Sequence, residues 1–423
     1  MQPPFVRRAS SFFAGETPPL FANLPLLPAD PILDLGRVFA IDNRPHKINL
    51  GIGVYLDEQG VTPIMAAVAE AEARVETAED TKAYLPPRSV PGFADNIARL
   101  ALGQDSDLPG SGRLGVIQTP GGCGALGVSG GLMRRSGIKT VVMGTPTWSN
   151  HRPVYTAAGL AVRMIPYLDR ATGGVDFAGY RAAVEQLGPD DVLLLHGACH
   201  NPTGVDLSPE QIDIIADIAA ARGFLPMIDT AYHGLAHGLD ADAYILRSFA
   251  QRVPELLISY SCSKNFGLYR ERTGALIAIG KSPDRAAVLE SHMLDLAREF
   301  YSMAPAHGAL IVADILGSPE LEANWRSELA TMQRSIQARR NLLADALEKT
   351  EVGDSLSYVR DQNGMFSLLP LSPEQTQRMR DTHAVHMAAS GRINVCGIRA
   401  DNVDYLAGAL ASTMIEDREM LSA

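Results

Sequence analysis

The sequence predicts an α/β fold in two parts: a large domain on a mostly parallel seven-stranded sheet, and a smaller α+β domain. Three observations carry this. The chain has 423 residues, whereas single hydrophobic cores stop growing near about 250–300 residues. Up to about residue 280, seven short β-rich runs alternate with helical patterns, the signature of a parallel sheet covered by helices. After Pro305 that alternation gives way to long helices and a few short strands.

Taken in order, residues 1–30 are proline-rich and loosely patterned. Arg7, Arg8, Ser10 and Ser11 resemble a transit peptide, but the stretch is short and contains Glu16; an N-terminal arm over 1–20 is the better reading. Residues 21–62 and 326–423 are assigned to the small domain and 63–325 to the large one. Ile64–Glu76 reads as a helix opened by Pro63. The β-rich runs are Val116–Thr119, Thr140–Met143, Leu160–Ile165, Val192–His196, Leu225–Asp229, Leu256–Ser261 and Gly274–Ile279. Between them, Pro209–Arg222 places Ile212, Ile215 and Ile218 on one helix face. Glu320–Glu348 is a near-continuous helical run. Short strands at Met365–Leu369 and Arg392–Val395 then mix with helices over Glu374–Ala388 and Val403–Ile415.

Composition narrows the function. The chain is 46% hydrophobic and 20% charged, as soluble globular proteins are. No apolar run approaches the roughly 20 residues of a membrane span. A net charge of −11 argues against nucleic acid as the main partner, while local arginines can still bind anionic substrates. Cys123, Cys199, Cys262 and Cys396 form no C-x-x-C pair and no zinc spacing, which points to a reducing compartment, the cytoplasm. His383 and His386, an i, i+3 pair on the expected helix, have no third ligand nearby, so no metal is expected.

In an open α/β sheet, ligands bind beyond the carboxyl ends of the strands. Three short motifs there mislead. Gly122-Cys-Gly-Ala-Leu-Gly127 fits G-x-G-x-x-G, but no acid ends the next strand, as a dinucleotide fold requires. Gly127-Val-Ser-Gly-Gly131 fits a nucleophile elbow, but Ser129 sits inside a helical pattern rather than after a strand. Ser261-Cys-Ser-Lys264 lacks the S-D-N and K-T-G elements of penicillin-recognising enzymes.

The longer segments are more specific. They are Pro28-Ala-Asp-Pro-Ile-Leu33, Lys47-Ile-Asn-Leu-Gly-Ile-Gly-Val-Tyr55, Gln118-Thr-Pro-Gly-Gly-Cys-Gly-Ala-Leu126, Cys199-His-Asn-Pro-Thr-Gly204, Ser263-Lys-Asn-Phe-Gly-Leu-Tyr269, Pro305-Ala-His-Gly308, Gly364-Met-Phe-Ser367 and Ala389-Ser-Gly-Arg-Ile-Asn-Val395. In these segments, in this order, the chain resembles the class I aspartate and aromatic aminotransferases, of pyridoxal-5′-phosphate (PLP) fold type I. The resemblance implies a homodimer that moves an amino group from an aromatic amino acid or aspartate to a 2-oxo acid, such as 2-oxoglutarate or oxaloacetate, by a ping-pong route.

It also implies roles for single residues. Lys264 carries the cofactor and shuttles the α-proton, Asp229 pairs with the ring nitrogen, and His151 orients Asp229. Tyr232 and Asn201 bond the phenolic oxygen, and Trp148 stacks on the ring. Gly121, Gly122 and Cys123 open a helix whose free N–H groups favour an anion; Ser261 and Arg272 complete that phosphate cup, with Tyr84 reaching in from the partner subunit. Arg392 takes the α-carboxylate, Arg298 of the partner subunit takes a side-chain carboxylate, and Gly53, Trp148 and Asn201 contact substrate.

Departures from the family pattern fall at the cup and the substrate end. Cys123 replaces a hydroxyl donor with a weaker thiol. Ala83, Phe300, Met303 and Leu56 stand where aspartate-specific members are polar or charged, and Ser89 stands in place of a glycine. A more apolar pocket is expected. A PLP-dependent lyase or decarboxylase on the same fold is the alternative reading, weakened because both carboxylate arginines are present. A non-catalytic PLP-binding module is a third, opposed by the intact Lys264, Asp229 and Arg392 set and by the absence of room for a DNA-binding domain before residue 21.

Overall fold

The structure, a computed structural model, describes residues 20–27 and 31–422. The expected arm over 1–20 lies, except for Leu20, outside the described residues. The central sheet contains β1 (Leu114–Pro120), β2 (Thr140–Thr145), β3 (Ala161–Pro166), β4 (Asp191–His196), β5 (Leu225–Thr230), β6 (Leu256–Ser261) and β7 (Thr273–Ile279). Their order is β1-β7-β6-β5-β4-β2-β3. Only β7 runs antiparallel to its neighbours, β1 and β6. Each of the seven runs expected from the sequence is a strand of this sheet. The interior strands are buried nearly throughout, because helices cover both faces; this is why they read as continuous Val/Leu/Ile runs rather than alternating ones.

Register brings the chemistry to one edge. His196 pairs with Asp229 across β4–β5, and Asp229 pairs with Ser259 across β5–β6. Because β7 is antiparallel, its start meets the ends of its neighbours: Thr273 lies opposite Pro120 and Gly274 opposite Ser261. The start of helix α1 (Gly121–Arg135) therefore meets Arg272 and Ser261 at a single corner.

The helices stop and start where their ends are satisfied. Helix α2 (His151–Ala157) follows the Thr147–Asn150 turn. Helix α3 (Pro209–Arg222) matches its expected bounds, opened by a Ser208/Gln211 capping box with Pro209 in the first turn and closed by Gly223 at φ 76°. Helix α4 (Pro283–Phe300) carries Arg298 in its last turn. Helix α5 (Pro319–Leu347) is the long run expected over Glu320–Glu348. Near its start, buried Trp325 stacks on Phe266 at 4.4 Å and donates to the Asn265 carbonyl at 2.8 Å, two residues from Lys264 or fewer.

Two expectations are corrected at the C-terminal end. The helix expected over 374–388 is α6 (Pro373–His383), and it ends early because Ala384 turns left-handed at φ 55°. Val385–His386 then form a two-residue parallel pair with Ile48–Asn49, so strand pairing overrides helical periodicity there. His386 is thus off the helix, and its Nε2 lies 2.8 Å from Asp42 Oδ2; the His383/His386 pair on one helix face does not exist. The last helix, α7 (Val403–Ser422), is longer than expected.

Candidate active site

A cleft of about 560 Å³ opens at the carboxyl ends of β4, β5 and β6, closed on one side by the Gly53 loop, Phe366 and Arg392. The sheet supplies Asp229 from β5, Tyr232 from the turn that follows it, and Ser261 and Lys264 from the end of β6. The loop after β4 supplies Asn201, and the turn after β2 supplies Trp148. At the corner built by β1 and β7, the first turn of α1 presents Gly122 and Cys123 beside Arg272.

That corner is shaped for an anion. The cap residue of α1, Pro120, offers no side-chain acceptor to the first N–H groups. Gly121 has φ 67°, and a Cβ there would stand 2.9 Å from Nη2 of Arg272; at Gly122 it would stand 3.2 Å from the Ser261 Cβ. Side chains at either position would fill the cradle. Arg272 is fixed by its bond to the Tyr269 carbonyl at 2.7 Å, which leaves further N–H groups for a phosphate fork.

At the opposite end of the cleft, Nε2 of His151 lies 3.0 Å from Oδ2 of Asp229. The Thr147 hydroxyl lies 2.8 Å from Nδ1 of that histidine and 3.0 Å from Nε2 of His196. Burial by itself would raise the Asp229 carboxyl, but the hydrogen bond and charge of His151, with His196, hold it below the ordinary carboxylate range. Burial pushes the Lys264 ammonium down, with Asp229 opposing; its Nζ lies 4.9 Å from the Tyr232 ring centroid. Tyr232 accepts from Nδ2 of Asn201 at 3.3 Å, and its phenol is pushed up by burial. Arg392 is buried, donates to the Gly51 carbonyl at 2.9 Å, and sits 4.5 Å above the Phe366 ring. Among the described residues its buried Nε has no partner.

These groups fit a phosphorylated pyridine aldehyde: a lysine of lowered pKa, an ionised carboxylate across the cleft, an anion cradle and a half-buried indole. Over residues 45–410 the chain matches the family described as Aminotransferase class I and II.

The chain belongs to the class I and II aminotransferases.

This aminotransferase is 40% identical over 396 residues to the aspartate aminotransferase of Haemophilus influenzae, covering 93% of this chain and all of that protein. It is 42% identical over 392 residues to the aromatic-amino-acid aminotransferase of Pseudomonas aeruginosa, covering 92% and 98%. Among solved structures, the aromatic-amino-acid aminotransferase of Burkholderia pseudomallei, covalently bound to pyridoxal phosphate, superposes with a TM-score of 0.90 at 39% identity, over 93% of this chain and 99% of that one.

The aminotransferase's cleft gathers Gly53, Gly122, Cys123, Trp148, Asn201, Asp229, Tyr232, Ser261, Lys264, Arg272 and Arg392. Gly121 lies directly behind Arg272 and His151 directly behind Asp229. Tyr84 and Arg298 are not brought in. Tyr84 is 90% exposed, and Arg298 is exposed and bonded to the Ser302 hydroxyl four residues on. Cys123 is exposed, yet partial desolvation pushes its thiol up, so it stays a neutral, weak donor beside the cradle.

Sequence reasoning placed His196 among the strand-end positions but gave it no role, and it missed Thr147 and Phe366 as functional neighbours. Thr147 lies inside the Thr145–Asn150 motif and Phe366 inside Gly364–Ser367, so position relative to a motif was the available signal. His196 ends a strand, and nothing local marks it as the neighbour of Thr147.

The buried histidines carry a pH prediction. Burial pushes His196 down to about 3 and His233 down to about 4, from the usual 6.5. At these two groups the folded chain therefore binds fewer protons than the unfolded one below pH 6.5. Stability present above that pH is lost as pH falls through the folded values, at about 1.4 kcal/mol per pH unit for each group. His233 is satisfied as a neutral ring, 2.7 Å from the Tyr260 hydroxyl and 2.7 Å from the Leu239 carbonyl. Replacing it (His233→Gln) is expected to flatten the fall in unfolding free energy between pH 6.5 and pH 4.5, measured by urea titration. An unchanged slope would contradict this.

Proposed function

We propose that this aminotransferase carries PLP on Lys264 and moves the amino group of an L-amino acid, aromatic or aspartate, to a 2-oxo acid such as 2-oxoglutarate or oxaloacetate, by a ping-pong route. The observation that carries the reading is the convergence in one cleft of a half-buried lysine of lowered pKa, a buried carboxylate and a buried arginine with no acidic partner among the described residues. When bound, PLP supplies an aldehyde for the amino group and a pyridine ring that accepts the electron pair left at Cα.

The chain's own residues do the rest. Lys264 would be the covalent anchor, and its lowered pKa would leave Nζ, once free, able to take the α-proton and move it on across the 1,3-shift. Asp229, kept ionised by His151, holds a proton at the ring nitrogen. Tyr232 and Asn201 hold the phenolic oxygen, and Trp148 covers one ring face. Gly121, Gly122, Cys123, Ser261 and Arg272 hold the phosphate. Arg392 binds the α-carboxylate, its buried Nε awaiting an acceptor.

The exposure of Tyr84 and Arg298 supports an obligate homodimer, in which each reaches the partner's cleft. Phe300, Met303, Ala83 and Leu56 favour aromatic donors, with Arg298 admitting dicarboxylates. Among the described residues, no helix is long and apolar enough to cross a membrane; the four free cysteines favour a reducing compartment, the cytoplasm. The boundaries 21–62 with 326–423, and 63–325, define the proposed small and large domains.

The test is an absorbance spectrum of the purified protein with PLP, recorded before and after adding aspartate, then phenylalanine, without acceptor. The expected result is a visible cofactor band that moves into the near ultraviolet with a donor. No band after PLP addition would overturn the cofactor reading, and a shift with aspartate alone would overturn the aromatic preference.

A further inference from the structure

Arg340, on α5, is wholly buried, yet among the described residues every hydrogen bond it donates goes to a neutral oxygen. Nε reaches the Gly364 carbonyl at 2.9 Å. Nη1 reaches the Val359 carbonyl at 3.2 Å and the Ser367 hydroxyl at 2.7 Å. Nη2 reaches the carbonyls of Asn363 at 3.0 Å and Gly364 at 2.6 Å, and that of Phe366 as well. A buried guanidinium without a counter-ion is costly unless its N–H groups are all satisfied. Here they are spent on one loop, 359–367, and so define its shape.

That loop presents Phe366 to the cleft. The Phe366 ring lies under the Arg392 guanidinium at 4.5 Å and edge-on to Tyr232 at 5.8 Å. Beyond the ring, Arg392 has a carbonyl contact to Gly51 at 2.9 Å and a long one to Asn201 Oδ1 at 3.5 Å. The ring is therefore the main surface that fixes the plane of the guanidinium.

The same loop holds Asn201. Asn363 N–H donates to the Gly204 carbonyl at 2.6 Å, and its Nδ2 donates to Asp206 at 3.0 Å. Asp206 in turn accepts the N–H groups of Cys199 and His200 at 2.9 and 2.8 Å, the two residues before Asn201. The approach is backbone to backbone: a Cβ on Gly204 would stand 2.3 Å from the Phe366 carbonyl, and one on Gly364 would stand 2.3 Å from the Cys199 Cβ. Two of the three partners of Arg392, the ring and the Asn201 amide, thus hang on a loop that one buried arginine organises, and the Gly51 carbonyl is the third.

We propose that Arg340 is a positioning residue for carboxylate recognition: by shaping the 359–367 loop it sets Phe366, and through Phe366 the orientation of Arg392, without touching substrate. This rests on the reading of Arg392 as the partner of the α-carboxylate.

The test compares PLP-loaded wild type with Arg340→Lys, Phe366→Leu, their double variant and Arg392→Lys. For each, the donor's KM and kcat, the dissociation constant of 3-phenylpropionate (a non-reacting carboxylate) and the thermal midpoint are measured. Arg340→Lys and Phe366→Leu are each expected to raise KM and the dissociation constant about tenfold, with kcat changed about threefold or less. The double variant is expected to be no worse than the weaker single, because both act through one ring.

A lower thermal midpoint with unchanged constants in Arg340→Lys would show a purely structural role and overturn the proposal. Additive effects in the double variant would overturn the route through Phe366. If Arg340→Lys does not fold, unchanged constants in Phe366→Leu still overturn it. Arg392→Lys separates the two layers. If it raises both constants while Arg340→Lys does not, this proposal alone falls; if it raises neither, the reading of Arg392 falls and takes the proposal with it.

Discussion

Replacing Lys264 by alanine is expected to abolish turnover, with a fall of at least about 10,000-fold in kcat. That is the upper end of what one positioned proton-transfer group supplies, and the covalent anchor is lost with it. The physical reason is local. Lys264 is half-buried, and loss of solvation lowers its pKa while Asp229 partly restores it. An exposed lysine would stay protonated and could neither attack an aldehyde nor accept a proton. The other contacts of the cleft do not depend on this side chain, so Lys264→Ala should still fold and bind PLP non-covalently. Single-turnover and steady-state kinetics, with PLP binding followed by equilibrium dialysis, make the check. Turnover within about 100-fold of wild type would be too much for a chain lacking both anchor and base.

The second large effect belongs to Asp229. Asp229→Asn keeps the shape of the side chain but removes its charge, and a fall of about 100- to 1,000-fold in kcat is expected, the scale of losing one preorganised electrostatic contact. His151 and His196 hold the carboxyl below its ordinary range despite burial. It therefore stays ionised down into acid solution, and the acid limb of the wild-type pH–rate profile should not report it. The Lys264–cofactor linkage should still form in Asp229→Asn, seen as a retained visible band. A kcat within about threefold of wild type would show that the carboxylate does not support the ring's role as electron sink.

The two predictions differ in how visible their basis was in the sequence. Asp229 ends a β-rich run and Lys264 lies three residues beyond one, and a strand end in an α/β pattern is a legible position. The partners that tune them are not legible in the same way. Thr147 and His196 lie far apart in sequence and meet only because β2 and β4 are neighbours in the sheet. Phe366 sits in a quoted motif, but its place under Arg392 depends on the antiparallel pairing of Phe366–Leu368 with Arg392–Asn394. Arg340 reads in sequence as one more charge on a long polar helix, and only burial reveals that it is spent on a loop.

The sequence by itself determined the α/β class, all seven sheet strands, the long helix and the residues at the strand ends, because apolar periodicity and capping residues are local and report which face must be buried. The tertiary structure alone decided the strand order that joins His151, Thr147 and His196. It also decided the stop of α6 at Ala384, where pairing with Ile48–Asn49 outcompetes the helix, and the exposure of Tyr84 and Arg298 away from their own cleft. The first two share a reason: each depends on which distant backbone lies alongside, and local periodicity carries no information about a neighbour tens or hundreds of residues away.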